Sequence, residues 1–133
     1  MNDAMADRPP IFLSTEARGD IRLRMGTAHY SYGIVAERFA RMLSRMGYSL
    51  NIVGMPERYK RIADLHAQFG TGTARPLHLC FRSTENMRPM PAATNVCHFA
   101  WEFDRLADRN LASDPVTSNQ RHMLSLMDEI WVP

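Results

Sequence analysis

Apolar residues in this chain fall into short runs of strand length, separated by stretches in which they recur at helical spacing. Asn95-Val96-Cys97-His98-Phe99 reads as a buried strand, and Leu77-His78-Leu79-Cys80-Phe81, Glu129-Ile130-Trp131-Val132 and Ser49-Leu50-Asn51-Ile52-Val53 as further strands. Ile11-Phe12-Leu13 is a short strand candidate. Ile21, Leu23 and Met25 alternate with Arg22 and Arg24, the period of a half-covered strand over 21–25. Helices are predicted over 33–46, from Val35, Phe39, Met42, Leu43 and Met46; over 56–69, opened by Pro56 and stopped by Gly70; and over 118–127, with Thr117 and Gln120 at capping-box spacing. Strands that alternate with helices of this length predict an α/β chain with one largely parallel sheet in a Rossmann-like, three-layer arrangement.

The connections are informative too. Gly26-Thr27-Ala28-His29-Tyr30-Ser31-Tyr32-Gly33 reads as a polar loop leading into the first helix, so that Gly33 would allow an anion to approach backbone N–H groups at the helix start. The plainer reading, a turn glycine before a helix, is favoured by these residues alone. Pro89 and Pro91 make Arg82 to Ala93 a loop, and Gly70-Thr71-Gly72 is a linker, because it follows a helix and lacks a third glycine. Residues 1–10 read as a disordered lead-in and 11–133 as the single domain. Phe103 to Pro115 is an exposed, charge-rich loop.

Composition narrows the function classes. With 133 residues, 45% of them apolar, the chain can bury one core but not two. A net charge of +2 gives no support to nucleic-acid binding, and the single lysine, Lys60, among sixteen basic residues reads as compositional bias. Arg38, Arg41 and Arg45 form a basic stripe on the first helix that could meet an anionic membrane; the residues alone favour a solvated face. Cys80 and Cys97 lie in apolar runs and read as buried reduced thiols, which fits the cytoplasm. The lead-in has no apolar core of signal-peptide type, and no run reaches the ~18 apolar residues of a membrane span.

There is no G-x-S-x-G elbow, Walker loop, H-E-x-x-H, paired C-x-x-C or D-x-D, and the five histidines lack metal-ligand spacing, so no metal site is expected. His78, in mid-strand, reads as a packed core histidine. The polar residues that converge are those at strand carboxyl ends: His29, Tyr30 and Gly33 behind one strand, and His98, Trp101 and Glu102 at the end of another.

Ser31-Tyr32-Gly33-Ile34-Val35 leading into Arg38-Phe39-Ala40, then Ala100-Trp101-Glu102, then Asp128-Glu129-Ile130-Trp131-Val132-Pro133 resemble, in this order and spacing, the N-terminal half of GT-B glycosyltransferases of the large retaining family 4. The resemblance runs from about Ile21 to Pro133 and implies the acceptor-side domain of a two-domain enzyme that transfers a sugar from a nucleotide-sugar donor to an acceptor hydroxyl with retention and without a metal. It places Gly33 near the donor diphosphate and assigns His98 as catalytic candidate, with His29, Tyr30, Trp101 and Glu102 on the acceptor side. The family continues past the Trp-Val-Pro into a donor-binding domain, so the chain is expected to be a truncated, inactive fragment with exposed apolar surface at Met127, Ile130 and Trp131. Two other readings stay open: a non-catalytic α/β binding module of the same build and, less favoured, a small flavodoxin-like nucleotide binder.

Overall fold

The computed structural model describes residues 8–15, 28–99, 106 and 116–132. Strands β1 (Ile11–Thr15), β2 (Leu50–Ile52), β3 (Leu77–Phe81), β4 (Thr94–His98) and β5 (Glu129–Trp131) form one sheet in the order β2-β1-β3-β4-β5. Every pairing is parallel, with Ile11 opposite both Leu50 and Leu77, Cys80 opposite Cys97 and His98 opposite Trp131. Helices α1 (Ala28–Arg45), α2 (Ile62–Phe69) and α3 (Gln120–Ser125) flank it, which gives the expected Rossmann-like α/β architecture.

The burial pattern explains the layers. Alternate strand residues form two faces. Ile11, Leu13, Leu79, Phe81 and Val96 pack with Tyr32, Ala36, Val35 and Phe39 of α1. On the other face, Phe12 packs with Leu65 of α2, Met90 and Ala92, while Cys80 and Cys97 pack with Met87, Met123, Leu124 and Met127. Gly70, at φ 66°, ends α2 by bonding its N–H to the His66 carbonyl, in a conformation that favours glycine.

Several boundaries differ from expectation. The strand beside both β2 and β3 is Ile11–Thr15, and the alternating stretch 21–25 lies outside the described residues. β2 and β3 flank β1 on both sides, and Ile11, Phe12, Leu13 and Ser14 are buried. Residues 8–10 are not a free lead-in: Arg8 donates to the Met46 carbonyl at 2.6 Å and covers the Tyr48 ring, and the Pro10 carbonyl accepts from Leu77 N–H at 3.0 Å.

Residues 56–69 divide into a 3-10 turn, Pro56–Arg58, and α2; within 82–93 a single 3-10 turn, Thr84–Asn86, forms ahead of the prolines. The cap of α3 is Asn119, whose Oδ1 accepts from His122 N–H at 3.0 Å, in place of the expected Thr117–Gln120 pair. Met127 is buried against the two thiols instead of exposed, whereas Ile130 is 42% exposed.

Candidate functional site at the carboxyl ends of the strands

In an open parallel sheet the strand ends form a crevice where successive connections leave in opposite directions. Here β1 leads outward to β2, and the chain then crosses back to β3 on the other side of β1, so that point lies between β1 and β3. Thr15, Gly54, Arg82 with Ser83, His98 with Phe99, and Val132 end or follow the five strands.

Arg82, only 8% exposed, ties two of these connections together: Nη2 donates to the Gly54 carbonyl at 2.7 Å and Nη1 to the Asn86 carbonyl at 3.4 Å. Its Nε has no partner, nor has Oε2 of Glu57 in the turn after β2, and both atoms are buried. Neither residue stood out in the sequence. The available signal was an arginine immediately after an apolar strand, at the position where α/β sheets gather ligands.

His98 closes β4 with a different environment. Its ring stacks on Phe81, with centroids 5.8 Å apart and planes at 29°, and Phe39 of α1 reaches both Phe81 at 5.2 Å and Trp131 at 6.2 Å. Burial lowers the His98 pKa, and its buried Nδ1 has no hydrogen-bond partner. The imidazole is therefore held toward its neutral form, which can accept a hydrogen bond at neutral pH. Trp131 is fixed by its own strand, Nε1 donating to Glu129 Oε1 at 2.6 Å, while Asp128 anchors the strand start: Oδ2 accepts from Asn95 N–H at 2.7 Å.

The expected donor-side residues lie differently. Gly33 is the sixth residue of α1, beyond the four positions whose N–H groups a helix leaves free. No breaker separates Ala28 from Tyr32, and the burial of Tyr32 and Ala36 against the sheet carries the helix back through the stretch read as a loop. Gly33 is buried and lines a cleft of about 180 Å³ with Leu13, Thr15, Ala36, Glu37, Ala40 and Ile52. His29 and Tyr30 sit on the first turn of α1. Trp101 and Glu102 lie outside the described residues. Gly33 thus lines the β1–β2 side and His98 the β4–β5 side, and the two do not converge on a common pocket among the described residues.

No family model, curated protein or solved structure matches the chain.

Beneath the crevice lies a fully buried polar row that crosses three strands. Ser14 Oγ stands 2.7 Å from His78 Nε2, and His78 Nδ1 stands 2.7 Å from Asn95 Oδ1. Asn95 Nδ2 donates to the Met90 and Ala93 carbonyls, and Oδ1 accepts from Met90 N–H, which fixes the amide. His78 must then donate from Nδ1 and accept the Ser14 hydroxyl proton at Nε2. The order matches a nucleophile-base-orienter chain, yet Ser14 and His78 are both 0% exposed, so no substrate reaches them. Its role is to lock the sheet, as expected of His78. Among the described residues no group of three or more His, Cys, Asp and Glu is placed to hold a metal.

Proposed function

We propose that this domain forms the acceptor-side wall of a GT-B-type glycosyltransferase, with a second, donor-binding domain supplying the opposite wall of the cleft. One observation carries the reading: His98 ends β4 directly opposite Trp131 of β5, which puts the segment that leads into Ala100-Trp101-Glu102 beside Asp128-to-Val132 at the carboxyl edge of one parallel sheet. The strand that leads into one stretch of the family resemblance is thus paired with another such stretch, in parallel, within one α/β sheet. A neutral imidazole opposite the partly exposed Trp131 suits an acceptor sugar, whose hydroxyl needs a hydrogen-bond acceptor and whose C–H face packs on an aromatic surface.

In this role His98 accepts a hydrogen bond from the acceptor hydroxyl and orients it toward the donor carbon, and Trp131 supports the wall on which Phe81 and His98 are stacked. Gly33 and its cleft lie toward the donor side. Most of the donor's binding energy would belong to the second domain, because Gly33, inside α1, offers the donor no free backbone N–H.

The test is transfer from a panel of nucleotide-sugars to hydroxyl acceptors, with residues 1–133 alone and joined to a donor-binding domain. Transfer is expected only from the joined protein, and His98→Ala should lower turnover at least tenfold. Robust transfer by residues 1–133 alone, or unchanged turnover in His98→Ala, would overturn the assignment. A joined protein that binds acceptor sugars without transfer would leave a non-catalytic binding module of the same build.

A further inference from the structure

The outward face of α1 combines two properties that a merely solvated helix face does not need together. Arg38, Arg41 and Arg45 are exposed, and between and beyond them Met42 is 46% and Met46 53% exposed. The five side chains line one groove of about 390 Å³. Arg41 is partly neutralised by Glu37 at 2.6 Å. Among the described residues neither Arg38 nor Arg45 has an ion-pair or hydrogen-bond partner. Arg8 adds a further positive charge at the end of the same helix, where it holds the Met46 carbonyl.

We propose that this face of α1 docks on the surface of a membrane bearing anionic lipid. Guanidinium groups bind phosphate oxygens through paired, charge-assisted hydrogen bonds. The two thioether side chains, which gain nothing from water, would enter the headgroup–acyl boundary between those contacts. The alternative polyanion, RNA, matches the arginines but leaves the methionines exposed, which is why lipid is the better fit. No described helix is long and apolar enough to cross a membrane, so the contact is interfacial.

The groove occupies the carboxyl-terminal half of α1, away from Gly33 and from the strand ends that carry His98, so docking leaves the crevice open. The inference stands on this face alone and does not depend on the glycosyltransferase reading.

Flotation of residues 1–133 with vesicles of phosphatidylcholine alone, and of phosphatidylcholine mixed with phosphatidylglycerol, tests it. Binding is expected to the mixed vesicles only, and to weaken with salt. Each arginine near an anionic surface contributes about a fivefold gain in partition, so Arg38→Glu combined with Arg45→Glu should lower binding by roughly 25-fold or more. Met42→Ser with Met46→Ser should weaken vesicle binding while the charge is intact. Far-ultraviolet circular dichroism should be unchanged in both variants, because all four side chains are exposed. No flotation with anionic vesicles, equal flotation with both kinds, methionine variants that bind like wild type, or salt-sensitive binding to an RNA oligonucleotide in place of vesicles would each overturn the proposal.

Discussion

Replacement of His78 should remove a specific part of the acid sensitivity of this fold. Burial, as the largest cause, pushes the His78 pKa down to about 4 from 6.5; nearby Arg82 acts in the same direction, whereas the hydrogen bond to Asn95 and the Glu57 charge oppose it. A histidine whose folded pKa is depressed favours the native state while neutral. Its contribution is fully present above the unfolded pKa and is lost as pH falls from about 6.5 toward about 4, because the unfolded chain takes up a proton that the native chain resists. A shift of that size corresponds to about 3 kcal/mol in total, of which about 2.5 kcal/mol is gone by about pH 4.5.

Urea unfolding of the wild type and His78→Gln at about pH 7 and about pH 4.5 reads the effect. The variant should be less stable at neutral pH by about 2 kcal/mol, because Ser14 and Asn95 lose a partner inside the sheet. Its stability should then fall less with acid than the wild type's, and the two should converge near pH 4.5. Carboxylates and other histidines titrate in the same interval, so the difference between the two proteins is the measured quantity. Parallel pH slopes would refute the argument, since they would mean that His78 is protonated in the native state as readily as in the unfolded one. Ser14→Ala should keep the wild-type slope in large part, because desolvation of the imidazole and not the hydroxyl dominates its titration.

Other consequences can be checked independently. Leu65→Ala, at a fully buried α2 position between Phe12 and the Met90 loop, should cost about 2–5 kcal/mol in chemical unfolding and still leave a parallel sheet. Cys97, its thiol pushed up to about 12 by burial and by neighbouring Cys80, should react with a thiol reagent only at the rate of unfolding, whereas fast labelling of the native protein would contradict the packing. Arg82→Met should loosen the connections after β2 and β3, visible as faster amide exchange around Gly54 and Asn86, and unchanged exchange there would show that its two hydrogen bonds do not hold them. Gly70→Val should lower the melting temperature by several degrees, since a branched residue is strained at φ 66°; no change would mean that the helix end rearranges at little cost.

The sequence conveyed the sheet well where hydrophobic runs alone decide. Leu77–Phe81 is placed to the residue, and Thr94–His98 and Glu129–Trp131 to within one; the first two are apolar enough to be covered on both faces, and the third is a short β-type run at the sheet edge. Ile11–Thr15 was legible only as a short strand candidate, since its neighbours on both sides cannot be read from its own residues, and the alternating stretch 21–25 lies outside the described residues. The start of α1 was hidden for a related reason. Glycine, serine and histidine weaken local helix preference, and only the docking of Tyr32 and Ala36 on β1 and β3 makes those turns favourable.

The same limit governed the site. His98 was visible because it closes an apolar strand, but its setting between Phe81 and Trp131 is contributed by residues 17 and 33 positions away. Arg82 was passed over because a single arginine in a loop carries no pattern; only the crossing from β2 back to β3 places it under the point where the connections diverge. The Ser14–His78–Asn95 row shows the converse. Its hydrogen-bond order would pass for catalytic machinery on distances alone, and complete burial decides against it. Exposure therefore separates the two histidines: His78, fully buried, spends both ring nitrogens on fixing neighbouring strands, while His98, at the strand end, is only partly buried.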